Sequence, residues 1–108
     1  MTSIKRSALV MHSAQAMYDL VNDVSCYPSF MDGCQGVEIF EQSSSTMLAR
    51  LDLKKAGVGL SLMTRNHLKA PSQINMTLED GPFKHFRGDW TFTRLSDAAC
   101  KVELDMEF

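Results

Sequence analysis

The chain has 108 residues, of which 44% are hydrophobic and 22% charged, and this balance predicts one globular domain rather than a disordered segment. No apolar run approaches the roughly 18 residues of a membrane span, and charged or polar residues interrupt the start before an apolar signal segment can form. Eleven basic and thirteen acidic side chains give a formal charge of −2, which argues against a DNA-binding domain. We therefore expect a cytoplasmic protein.

The first third of the chain predicts one strand followed by two short helices. Thr2 to Met11 alternates loosely between apolar and polar residues, as a strand does. Ser13 is a good N-cap for a helix from Ala14 to about Asp23, and Gly33 suits the residue after a second helix over Pro28 to Asp32. The apolar residues at helical spacing are Met17, Leu20, Val21 and Val24.

From Cys34 onward the apolar residues recur with period two, which predicts six antiparallel strands joined by short turns. Within Met47 to Lys54, apolar residues alternate with mostly charged ones, so one face of the sheet is expected to be apolar and the other wet. The last strand is expected over Cys100 to Phe108. Turns are predicted at Ala56–Gly57, Pro71–Ser72, Asp80–Pro82 and Ser96–Ala99.

A set of large apolar residues falls on the apolar side of these strands, and they are candidates for the lining of a ligand groove or for an ordinary core. Trp90 also carries an indole donor, but a tryptophan in such a strand is more often a core ring whose donor is satisfied locally. Tyr27, Phe30 and Met31 on the second helix are candidates for a displaceable gate or for simple docking contacts. The candidate lining is Leu51, Leu53, Leu60, Leu62, Ile74, Met76, Leu78, Trp90 and Phe92.

The predicted helices are too short to cover the apolar face of this sheet. A helix of ten residues is roughly 15 Å long, whereas a strand of ten residues reaches about 33 Å. The chain also ends at Phe108 within the alternating pattern, without a cap or turn residue. We therefore expect a C-terminally truncated domain whose long closing helix is missing.

Several short motifs, in order along the chain, resemble the START-like polyketide cyclase and coenzyme Q-binding family. They are Tyr18–Val24, Tyr27–Phe30, Lys55–Gly57, Thr64–Asn66, Asp80–Lys84 and Gly88–Phe92. The resemblance runs from end to end and is greatest to the bacterial branch described as ribosome association toxins. It implies an α+β helix-grip fold, with a curved antiparallel sheet of about seven strands and a long C-terminal helix, and makes residues 1–108 a single START-like lipid-binding domain.

The resemblance implies non-enzymatic binding of a hydrophobic ligand, ubiquinone or another polyprenyl lipid, in support of cellular respiration. Peripheral contact with a membrane fits this role. The alternative is a toxin that binds the large ribosomal subunit and blocks subunit association, for which a local basic patch is available. That patch comprises Lys54, Lys55, Lys84, His85 and Arg87. A polyketide cyclase-like enzyme is the third alternative.

The residues themselves predict neither a catalytic site nor a metal site. An enzyme needs a nucleophile beside a base, or paired acids in an apolar setting, and the three histidines fall in turns or at exposed strand positions. Those histidines are His12, His67 and His85. Cys26, Cys34 and Cys100 lack the close spacing of a zinc or redox site, so we expect reduced thiols and no cofactor. Arg65 has the opposite parity to Leu62 and is expected to face water or a partner.

Overall fold

The computed structural model describes residues 3–30, 33–55, 57–82 and 84–108. These residues contain one strand, two short helices and six further strands, in the order that the sequence predicts, and also a 3-10 turn between the helices that it does not predict. The strands are β1 (Ser3–Val10), β2 (Cys34–Gln42), β3 (Thr46–Lys55), β4 (Val58–Lys69), β5 (Gln73–Asp80), β6 (Arg87–Ser96) and β7 (Ala99–Glu107). Between β1 and β2 lie α1 (Ala14–Asn22), a 3-10 turn (Val24–Cys26) and α2 (Tyr27–Phe30).

All seven strands form one antiparallel sheet in the order β1-β7-β6-β5-β4-β3-β2. The first two strands therefore lie at opposite edges, and the segment that joins them must cross one face of the sheet. We call this the inner face, and the opposite side the outer face. The six strands predicted after the helices are confirmed, and within the described residues no long helix follows β7.

Helix α1 begins as predicted, because the Ser13 hydroxyl accepts a hydrogen bond from the Ala16 N–H at 3.1 Å. Its predicted apolar stripe is partly wrong. Leu20 is 52% exposed, whereas Tyr18 is buried and packs edge-on against Phe92, with 5.9 Å between ring centroids. The reason is that α1 docks on β5, β6 and β7 through the side that carries Ala14 and Tyr18, and Leu20 points away from that side.

The second predicted helix is present but begins one residue earlier, at Tyr27. Its Ser29 hydroxyl donates to the Cys26 carbonyl at 2.6 Å, which links α2 to the preceding 3-10 turn. The 3-10 turn and α2 contact β2, so they complete the crossing toward that edge. Met31 and Asp32, which the sequence placed at the end of this helix, lie outside the described residues, as does the side chain of Phe30.

The core lies where α1 and the 3-10 turn meet the inner face, close to the turns that follow β2, β4 and β6. Met47 and Cys100 have no exposed surface, and Ile74 is 2% exposed. These strand residues come early in β3, β7 and β5, so the tightest packing is confined to one end of the sheet. The core cluster comprises Ala14, Tyr18, Val24, Met47, Ala49, Leu68, Ile74, Phe92 and Cys100.

Because Ile74 is almost fully buried, we expect Ile74→Val to lower the free energy of unfolding by about 0.5–1.5 kcal/mol, measured by urea denaturation. The matched control is Leu9→Val, which removes one methylene from a strand residue that is 73% exposed and should change stability by less than about 0.5 kcal/mol. Equal losses in the two variants would contradict this placement of the core.

Candidate ligand-binding face

The inner face stays apolar beyond the area that α1 covers. Leu51 lies opposite Leu62 and Leu53 opposite Leu60, while on the other side Trp90 lies opposite Leu104. Because directly paired residues of an antiparallel sheet share a face, these side chains form one surface. We call this surface the open half, and it comprises Leu51, Leu53, Leu60, Leu62, Met76, Leu78, Trp90, Leu104 and Met106; all of them except Leu62 are only partly buried.

The nine predicted lining residues do share the inner face, but they divide into two groups. Ile74 and Phe92 belong to the core beneath α1, and Leu62 is also buried. The other seven, Leu62 included, belong to the open half, and all of them except Leu62 retain exposed surface. The ring of Trp90 lies parallel to that of Phe92, with 6.3 Å between centroids, and so connects the open half to the core.

Gly88 leaves space on the open half for two flexible methionine side chains. A Cβ at this position would lie 2.6 Å from Met76 Cε and 3.3 Å from Met106 Cγ. The two methionine side chains therefore occupy the space that the missing side chain leaves. Since methionine is unbranched and adapts its shape readily, this part of the surface can fit ligands of different outline.

Two polar residues interrupt the inner face next to the core. Thr64 and Asn66 are 6% and 5% exposed, and the Thr64 hydroxyl donates to Asn66 Oδ1 at 3.0 Å. The motif Thr64–Asn66 contains both residues, but their burial is not among the sequence-based predictions. Their parity on β4, which is that of Leu62 and Leu68, is the feature of the sequence that indicates it.

A small cavity of about 30 Å³ lies beside this pair, at the border between the core and the open half. The side-chain oxygen Oδ1 of Asn22, the last residue of α1, is buried and has no hydrogen-bond partner among the described residues. The residues that line the cavity are Val21, Asn22, Val24, Tyr27, Ala49, Leu51, Thr64, Asn66, Ile74 and Met76.

Tyr27, one of the three candidates for a gate or for docking contacts, lines this cavity, and its hydroxyl donates to the Val21 carbonyl. Burial raises the pKa of Tyr27 to about 12, with smaller contributions from the nearby Asp23 and Cys34. The phenol is therefore neutral at physiological pH and keeps its hydrogen bond. This bond ties α2 to the end of α1 and restricts the opening of the cavity.

The outer face carries charged side chains in ion pairs. Arg65 lies on this face, as predicted from its parity, and contacts Glu79 at 2.7 Å and Glu41 at 3.1 Å. Arg87 contacts Asp89, and also Glu107 at 2.7 Å; this second bond lowers the pKa of Glu107. A hollow of about 410 Å³ on this side is lined mainly by polar and charged residues, which makes it a poor site for an apolar ligand.

The predicted basic patch carries less unpaired positive charge than its sequence suggests. Lys54, Lys84 and His85 are exposed at the end of the sheet that holds the β3–β4 hairpin and the β5–β6 connection. Arg87, in contrast, is neutralised by its acidic partners. The side chain of Lys55 lies outside the described residues.

The histidines His12, His67 and His85 are all exposed, as expected from the sequence. Cys26 is an exposed free thiol, while Cys34 and Cys100 are buried free thiols. Within the described ranges, no three His, Cys, Asp or Glu side chains are grouped so as to hold a metal ion. None of the helices described is long and apolar enough to cross a membrane.

The fold is that of the START-like, helix-grip class. It has a seven-stranded antiparallel sheet with two short helices after its first strand, and these helices cover the inner face only in part. Residues 10–108 match the model of the family described as "Polyketide cyclase / dehydrase and lipid transport". The chain belongs to this family.

A curated relative and two solved structures agree with this assignment. The Vibrio cholerae protein named "Ribosome association toxin RatA" is 51% identical over the whole chain and 75% of its own length. The Zhui aromatase/cyclase of Streptomyces shares the fold with a TM-score of 0.85 and 22% identity, over 97% of this chain and 66% of that one. A START superfamily protein from Mycobacterium smegmatis does so with a TM-score of 0.83 and 21% identity, over 96% of this chain and 74% of that one. The chain thus spans between two thirds and three quarters of the length of these proteins.

The raised pKa of Tyr27 has a consequence for stability. Unfolding returns the phenol to its usual pKa of 10.0, below its folded value of about 12. The unfolded chain therefore loses this proton first, and we expect the contribution of Tyr27 to stability to decline as the pH rises between these two values.

The measurement is a titration of phenolate absorbance on the variant Tyr18→Phe. The chain has two tyrosines, so Tyr27 is the only one left in this variant. Circular dichroism on the same samples reports whether the protein is folded, and Tyr27→Phe serves as the control for Tyr18. A Tyr27 midpoint near 10 in a folded protein would show that the phenol is not buried as described.

Proposed function

We propose that this protein binds ubiquinone or another polyprenyl lipid along the open half of the inner face, supports cellular respiration and catalyses no reaction. The observation that carries this proposal is the apolar surface that α1 leaves uncovered, in a member of a family whose description includes lipid transport. The aromatase/cyclase with the same fold is too distant in sequence to lend this chain a catalytic role.

Loss of apolar surface from water would drive such binding, at about 25 cal/mol for each Å² of apolar surface that the protein and the ligand bury together. Met76 and Met106 adapt to the outline of an isoprenoid chain, and Trp90 offers a broad ring for it to pack on. No reactive group is needed for this kind of binding.

The enclosed space within these residues is much smaller than a lipid. Ligand pockets usually measure about 300–1,000 Å³, whereas the cavity beside Asn66 measures about 30 Å³. In our proposal the open half is one wall of the site, and a covering helix of the kind found in helix-grip proteins provides the other. Loading from a bilayer would require transient contact with the membrane surface.

We expect Met76→Glu to reduce bound ubiquinone by at least about tenfold, because a carboxylate on the open half must lose its hydration when a lipid covers it. The control is Thr77→Glu, which adds the same charge at the neighbouring, exposed position on the outer face and should bind normally. Binding is measured by mass spectrometry of the organic extract and by titration with ubiquinone.

Circular dichroism must show that both variants are folded. Leu53→Asn, which lies further from the core, is the second variant if Met76→Glu fails to fold. Ubiquinone bound to folded Met76→Glu at the wild-type stoichiometry would contradict the placement of the lipid on the open half.

A second proposed function is binding to the large ribosomal subunit, and the observation that favours it is the name of the 51% identical relative from Vibrio cholerae. The exposed residues Lys54, Lys84 and His85 supply positive charge at one end of the sheet. The overall charge of −2 opposes a strong electrostatic attraction to RNA, so this role would depend on a local contact.

If these lysines contact ribosomal RNA, the double variant Lys54→Glu with Lys84→Glu should lose co-sedimentation with large subunits at low salt. Wild-type binding should itself weaken strongly between about 50 and 200 mM salt. Lys69→Glu is the control, because Lys69 is exposed at the opposite end of the sheet. Binding that the double variant and salt leave unchanged would contradict an RNA contact at this end.

A further inference from the structure

We propose that Asn22, Thr64 and Asn66 form a polar anchor that binds the hydroxyl group of an otherwise apolar ligand. This inference rests on the proposed lipid-binding function and specifies the chemical class of the ligand. Among the proposed ligands it favours polyprenols and the hydroquinone form of ubiquinone over ubiquinone itself, whose oxygens can only accept hydrogen bonds.

Asn66 presents a donor to the cavity. Its carbonyl oxygen accepts the hydrogen bond from the Thr64 hydroxyl at 3.0 Å. The amide nitrogen carries two hydrogens that this bond does not use. Thr64 is thus a positioning residue, and Asn66 Nδ2 is the atom that would donate to a ligand oxygen.

Asn22 presents the complementary acceptor. Its Oδ1 atom is buried without a hydrogen-bond partner among the described residues, and Asn22 lines the same cavity as Asn66. A buried carbonyl oxygen in this state is unfavourable unless a donor reaches it. The site therefore needs a group that donates to Asn22 while it accepts from Asn66, and a hydroxyl group does both.

The volume of the cavity restricts what can enter it. About 30 Å³ admits a water molecule or a hydroxyl group but is far too small for a lipid, so the apolar chain of such a ligand would lie outside. Leu51 and Met76 line the cavity and also belong to the open half. An apolar chain attached to the hydroxyl would leave along these two residues and continue over the open half.

The test compares farnesol with farnesyl methyl ether, which has the same apolar chain but whose oxygen cannot donate. Their binding to the wild-type protein is followed by the fluorescence of Trp90, the only tryptophan in the sequence. Because the ether is the more apolar molecule, burial of apolar surface alone predicts that it binds at least as tightly. The anchor predicts the opposite order, with farnesol bound at least about tenfold more tightly.

Two variants that keep the branched shape of the side chain and remove its polar atoms locate the effect. Asn66→Leu and Asn22→Leu should each bring the ratio of the two affinities close to one while the ether continues to bind. Asn75→Leu is the control, because Asn75 lies on the outer face, where its amide donates to Asp89 at 2.8 Å, and this variant should keep the preference for farnesol. The wild-type comparison does not depend on whether the variants fold.

Each outcome distinguishes the anchor from the proposed function on which it rests. Equal affinity of the wild-type protein for the two ligands would leave lipid binding intact and overturn the anchor, with the cavity then holding water only. A preference for farnesol that survives in both folded asparagine variants would also overturn it. If neither ligand binds, the lipid-binding function itself is wrong, and the anchor with it.

Discussion

The placement of β1 and β2 at opposite edges of the sheet determines the rest of this structure. Because consecutive strands lie so far apart, the segment between them must cross the inner face, and α1 is the main element that does so. Its nine residues span roughly 14 Å, whereas the twelve residues of β4 span about 40 Å. One crossing of this length covers the inner face at one end and leaves the other end apolar and partly exposed.

The two ends of the inner face therefore differ in what they contribute. Beneath α1 the contacts of Tyr18 and Phe92 are those of a packed core, and they hold the sheet and the helix together. At the other end the same alternation of residues yields a surface without a partner among the described elements. The buried polar side chains of Thr64 and Asn66 lie between these two ends. A ligand with a polar end and an apolar chain would place its polar end at these residues and its chain on the open half.

Much of this arrangement could be predicted from the sequence, because a period of two assigns each strand residue to a face before any contact is known. That alternation predicts the strands, the turns and the shared face of residues such as Leu51 and Met76. It could not predict which side of α1 docks, since Tyr18 and Leu20 both fit a helical repeat and only the packing against Phe92 decides between them. The position of Asn66 on the inner face could be predicted from its parity. Its proximity to Asn22 could not, because it depends on where the end of α1 packs against the sheet.

The two proposed functions use neighbouring but different surfaces. A lipid would occupy the inner face, whereas a ribosomal contact would use the exposed Lys54, Lys84 and His85 at the edge of the open half. The outer face offers less to either partner, because ion pairs already engage Arg65 and Arg87. The two proposed contacts would therefore occupy different surfaces at the same end of the sheet.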